Sequence, residues 1–186
     1  MNRIRTHSIL ATLILTFTAG AVGQVPALAH DGTHEPTMAD LHSRAGAGLA
    51  LARLHHDLAP YQDVSRAFAD GFVPVSECTE SPAGGMGVHF LHPARAMAPV
   101  DPAKPAILLY SPTSDGYELL GAEWFAVDAD QDLATHDDRP SLWGRPFDGP
   151  MPGHDATMPV HYDLHVWLYD SNPAGVFAPW NPSVSC

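Results

Sequence analysis

Apolar and polar residues alternate through MPVHYDLHVWLYD, Met158 to Asp170. Val160, Tyr162, Leu164, Val166 and Leu168 occupy one set of positions and His161, Asp163 and His165 the other. Strand side chains point alternately to the two faces of a sheet, so the pattern predicts one apolar face and one face carrying two imidazoles and a carboxylate, followed by Trp167 and Tyr169. Three other short apolar runs read as strands: MGVHFLH at 86–92, AILLY at 106–110 and YELLGAEWFAV at 117–127. The stretch SPTSDG between the last two supplies Pro, Asp and Gly for a turn and predicts an antiparallel hairpin.

The segment before these strands has a helical texture. MADLHSRAGAGLALARLHHDLA, residues 38–59, places Leu41, Leu51, Leu54 and Leu58 near helical spacing. Gly46 and Gly48 weaken its first half by roughly 1 kcal/mol each relative to Ala. Pro60 suits a helix start, Tyr61, Val64 and Phe68 recur at i, i+3 and i+7, and Gly71 suits a C-terminal cap. Helices first and strands later predict an α+β fold, with N-terminal helices packed on one face of a mostly antiparallel sheet of about four strands. Residues 128–159 form a long connection carrying Pro140, Pro146, Pro150, Pro152 and Pro159. Its length predicts a lid or binding loop over the polar face.

The first residues change the compartment. Arg3 and Arg5 precede the apolar run ILATLILTFTAGAVG, and ALA at 27–29 is a small-x-small cleavage site, which together read as a signal peptide over 1–29. The apolar run falls short of the roughly 20 residues of a membrane-spanning helix. A flexible arm at 30–37 and a single domain at 38–186 are expected to follow, secreted to the extracellular or periplasmic space with no stable membrane insertion after cleavage. Removing the two leader arginines leaves 7 basic against 21 acidic residues, a net charge of −14, which repels nucleic acid and anionic lipid. The two cysteines, Cys78 and Cys186, are expected to form a disulfide in that compartment.

The polar strand positions carry the candidate chemistry. Residues i and i+2 on a strand lie about 6 to 7 Å apart and can converge on one ion, whereas i and i+4 lie about 13 Å apart. His161 and His165 therefore do not chelate one metal by themselves; Asp163 pairs with either, or fixes the tautomers of neighbouring rings. His89 supplies a third ligand if its strand turns it to the same face. Glu123 shares its face with Leu119, Phe125 and Val127 by strand parity, and needs a histidine, a cation, or an arginine such as Arg95, Arg139 or Arg145. The candidate metal ligands are thus His89, His161, His165, Asp163 and Glu123, suited to zinc or copper, with Trp167, Tyr169 and His154 lining the pocket. Such a pocket would bind a transition metal with or without catalysis. The alternatives are a metal-free module for a small organic ligand or glycan and a structural envelope protein.

Other motifs carry less. Cleavage after Ala29 would expose His30, whose amino group and ring can chelate copper, with no second histidine fixed beside it. Asp128, Asp130 and Asp132 alternate as calcium-loop ligands do, but the sixth and twelfth positions of an EF-hand are here Leu133 and Arg139, leaving a looser calcium site or a solvated turn. The four tryptophans fit core packing or a sugar-stacking platform. Serine-elbow, Walker, CxxC and HExxH signatures are absent.

ADGFVPVSECTESPAGGMGVHF, RPSLWGRPFDGPMPGH, MPVHYDLHVWLY and NPAGVFAPWNPSVSC together resemble a family of small exported bacterial proteins of uncharacterised activity. The likeness covers roughly residues 60–186 and implies one secreted domain, with no residue role attached.

Overall fold

The computed structural model describes residues 38–186 other than Asp155; the leader expected over 1–29 and the arm over 30–37 lie outside the described residues. Helix α1 runs Met38–Leu58, a 3-10 turn follows over Ala59–Gln62 with Pro60 in its first turn, and α2 covers Val64–Ala69. Asp63 caps α2 by accepting a hydrogen bond from the Ser65 amide at 3.0 Å. The helix ends where Gly71 takes φ +95° and the Phe72 amide reaches back to the Ala67 carbonyl at 2.9 Å, a conformation that favours glycine.

The strands are β1 (Val73–Pro74), β2 (Thr79–Ser81), β3 (Gly84–Leu91), β4 (Ile107–Thr113), β5 (Gly116–Val127), β6 (Ser141–Leu142), β7 (Arg145–Pro146), β8 (Asp148–Met151) and β9 (His161–Trp167). A short helix, α3 (Pro93–Ala96), follows β3. The main sheet runs β1-β3-β4-β5-β9-β8 with β2 also on β3, and its pairings are antiparallel. The fold is therefore α+β. The four strands expected from the sequence form its centre, β3 to β5 and β9, and short edge strands extend it. The hairpin expected across SPTSDG is β4–β5.

One face of the sheet carries the main core. Val88 and Phe90, Leu108 and Tyr110, Leu119, Ala122 and Trp124, and Tyr162, Leu164 and Val166 meet Leu54, Leu58, Tyr61, Ala67 and Phe72 from the helical segment. Each large apolar side chain buried here contributes roughly 1.5–3 kcal/mol. Among the described side chains of α1, those that take part, Leu51, Leu54 and Leu58, lie in its second half. The opposite face holds a smaller apolar cluster of Ala106, Ile107, Leu109, Leu120, Phe125 and Trp167, against which Val184 and Met158 pack. Cys78 and Cys186 are disulfide-bonded, so the last residue is tied to the segment between β1 and β2.

Two expectations are corrected. Strand parity grouped Glu123 with Leu119, but Leu109 pairs with Gly121 and Tyr110 with Leu119, so Leu120 is an extra residue in β5. This bulge returns Leu119 to the main core beside Ala122 and Trp124 and moves Leu120 to the face of Glu123 and Phe125. The connection 128–159 contains β6 to β8, and Leu142, Trp143 and Phe147 pack into the main core. Their apolar bulk ties that part of the segment to the main core, while Asp148, His154 and Met158 meet residues of the polar face that the connection was expected to roof.

No helix among the described residues is long and apolar enough to cross a membrane.

Candidate metal centre

The second face of the sheet brings His89, Glu123 and His165 together. Register explains how. Glu123 lies directly opposite His165 on the β5–β9 ladder and opposite Ile107 on β4, which in turn pairs with Leu91 two residues beyond His89. Odd positions of β3, β4 and β9 and, beyond the bulge, of β5 share this face. His89 Nε2 lies 3.4 Å from Glu123 Oε2, and His165 Nε2 lies 3.6 Å from the same oxygen. One ligand atom from each of the three lies within 4.8 Å of the others, a spacing suited to one metal ion. Their side chains are 11%, 5% and 1% exposed, so the group is enclosed by the fold.

Each histidine is gripped from behind. His89 Nδ1 is 3.1 Å from the Ser76 hydroxyl, and that oxygen also accepts the His89 amide at 3.0 Å. His165 Nδ1 faces Asp163 Oδ1 at 3.6 Å. Both rings therefore turn Nε2 toward Glu123. A metal-binding histidine commonly has its second nitrogen held by a carboxylate, hydroxyl or carbonyl in this way.

The charges are strongly perturbed. Burial, reinforced by the neighbouring His165, lowers His89 to about 3 and keeps its ring neutral. Burial pushes the Glu123 carboxyl well above its ordinary range. Burial alone would lower His165, but the carboxylates of Glu123 and Asp163 outweigh it and raise the ring to about 9. The metal-free centre thus holds a proton between Glu123 and His165, while Glu123 Oε2 and both His165 nitrogens are buried without a hydrogen bond. Such unmet polar atoms are costly unless something occupies the space between them.

The other residues singled out in the sequence fall nearby or elsewhere. His161 lies beyond Asp163 on the same face, with Nδ1 3.1 Å from the Pro159 carbonyl and its ring stacked on Phe125 at 5.0 Å. Exposed His154 meets His161 edge-on at 5.5 Å. Trp167 is buried in the second cluster and donates to the Ala178 carbonyl at 2.7 Å. Tyr169 stacks on His55 at 4.6 Å, on the helical side. Glu123 takes histidine partners; Arg95 instead donates to the Pro105 carbonyl and Arg139 to that of Gly149. Trp124 is a core residue whose indole donates to Asp101 O at 2.7 Å.

Two participants were not singled out in the sequence. Ser76 has no local pattern to mark it, being a small polar residue in a connection. Asp148 pairs with Asp163 across β8–β9, and its carboxyl is raised by burial and then by Asp163. The irregular register of β8 hides that strand from a period-two reading.

Comparison with protein-family models, curated proteins and solved structures gives no match for this chain.

Proposed function

We propose that this is an exported protein that holds one transition-metal ion, zinc or copper, on His89, Glu123 and His165. The carrying observation is the convergence of two Nε2 atoms and a carboxylate oxygen from three strands, within 4.8 Å of one another and buried. Nitrogen donors favour zinc and copper over calcium or magnesium. Three protein ligands leave a coordination position for water or a small substrate, as catalytic zinc sites do and closed structural sites do not. A metal there would supply Lewis-acid polarisation; Ser76 and Asp163 hold the ligand rings, and the surrounding apolar cluster excludes bulk water. The disulfide and the leader pattern in the sequence support export.

The test is metal analysis of protein purified with neither chelator nor affinity tag. About one equivalent of zinc or copper is expected, lost in His89→Ala and His165→Ala. Metal-free protein whose melting is unchanged by either ion would overturn this reading in favour of a metal-free module or a structural protein.

A further inference from the structure

We propose that His154 and His161 form the route by which an ion reaches the buried centre, His154 taking it from solvent and His161 passing it inward along β9. The route rests on the metal reading of His89, Glu123 and His165. Those three side chains are 11%, 5% and 1% exposed, so an ion arriving from solvent needs groups that bind it on the way in.

His161, the first residue of β9, is 0% exposed and takes no part in the three-ligand group. Its Nδ1 lies 3.1 Å from the Pro159 carbonyl, an oxygen that can only accept, so Nδ1 carries the ring proton. Burial keeps the ring neutral. Nε2 is then a bare lone pair, buried with no hydrogen-bond partner. Such an acceptor is costly in a core and well suited to a passing metal ion. From His161 inward, every second residue of β9 offers a donor, Asp163 and then His165, in steps of about 6 to 7 Å.

His154 stands at the outer end of this row. Its side chain is exposed, and its ring meets that of His161 edge-on with centroids 5.5 Å apart. It also acts electrostatically on His89, three strands from β9 in the sheet order, so the ring lies across the face that holds the centre. The backbone beneath it is fixed. Gly153 packs so closely on Met158 that a Cβ there would lie 2.0 Å from the Met158 carbonyl oxygen, and the His154 amide donates to Met158 Sδ at 3.4 Å. Passage is ligand exchange with no change of oxidation state. A metal-bound water leaves as a His154 nitrogen binds, and the His154 bond breaks as His161 Nε2 binds, the His161 proton staying on Nδ1. Two imidazoles hold an ion less firmly than the three-ligand centre, which draws it onward.

The probes are zinc chloride and copper(II) chloride, each given to the full exported chain after chelator treatment. Stopped-flow competition with a metal-sensing dye times uptake, and transfer to excess chelator times loss. A group that acts only on the route changes entry and exit by the same factor and leaves Kd where it was. Exposed His154→Ala is expected to slow both rates by about tenfold while Kd moves by less than about twofold. His161→Gln keeps much of the bulk without the imidazole and should slow both at least as much, whereas His56→Ala, on α1 with its side chain 88% exposed, should change neither. Unchanged rates in His154→Ala, faster exchange, which would make the ring a plug, or a weakened Kd, which would make it a fourth ligand, would each overturn the route and leave the centre standing. A wild-type chain that takes up neither ion overturns the metal reading and the route together.

Discussion

Glu123 and His165 are direct cross-strand partners on β5 and β9, with Oε2 and Nε2 3.6 Å apart in the interior. Their spacing follows from strand register rather than from a flexible loop. His89 joins them from β3, on the far side of β4, so the centre depends on four adjacent strands keeping the same face. A register slip of one residue in any of them would turn a ligand to the wrong side.

The groups behind the histidines give the first prediction. Ser76→Ala removes the hydroxyl that meets His89 Nδ1, and Asp163→Asn replaces the carboxylate beside His165 Nδ1. Each is expected to weaken zinc or copper binding by about 10–100-fold while leaving all three proposed ligands in place. Competition against a chelator of known affinity measures this, and loss of less than about threefold in both variants would mean the rings need no such support.

Metal uptake should release a proton. His165 is raised to about 9 in the metal-free protein, so at pH 7 its ring carries a proton that a metal must displace. Calorimetric titration with zinc in buffers of differing ionisation enthalpy should show at least one proton released per ion at pH 7, from His165 and the raised carboxyl of Glu123 together, and a smaller number near pH 9.5. The His89 ring, already neutral at pH 7, contributes nothing to this count.

Stability of the metal-free chain should pass through a maximum on the acid side of neutrality, because His89 opposes acid whereas His165 and Glu123, both raised by the fold, lose their contributions as pH rises. His89 is lowered from about 6.5 to about 3, so between those values the unfolded chain binds the extra proton and stability falls as pH falls. His165 is raised from about 6.5 to about 9; its contribution is complete below 6.5 and is lost as pH rises through 9. Denaturant midpoints taken across this range should show both limbs, the acid limb shrinking in His89→Gln and the alkaline limb in His165→Gln.

The sequence made the long strands visible because their period is two, and the helices visible because leucines recur at helical spacing before Gly71. The polar face of β9 could be read for the same reason. Bringing His89 to Glu123 required strand order, which the single turn at 111–116 could not supply: it joined β4 to β5 and said nothing of β9. The Leu120 bulge shows a different limit. One inserted residue reverses the parity of everything before it, and LLGAE carries no mark of where that happens beyond its glycine. Trp143 and Phe147 sit in a proline-rich stretch that looks solvent-facing, and only three-dimensional packing reveals that the core takes them.

The disulfide should matter to the centre as well as to stability. Cys78 and Cys186 lie 108 residues apart, and closing a loop of that length removes unfolded-state entropy equivalent to roughly 4 to 5 kcal/mol in the chain-entropy model. Ser76 lies two residues from Cys78, in the same segment that reaches β3 through the Val75 amide and the His89 carbonyl at 2.9 Å. The C-terminal segment pinned by the bridge also pairs with β3, through Asn181 and Gly85. A Cys78→Ser, Cys186→Ser double variant should therefore lose stability to denaturant, and any folded fraction should bind metal less tightly because Ser76 no longer holds His89 in place. Adding Ser76→Ala to that variant should then cost little further affinity, whereas undiminished cost would show that the serine is held independently of the bridge.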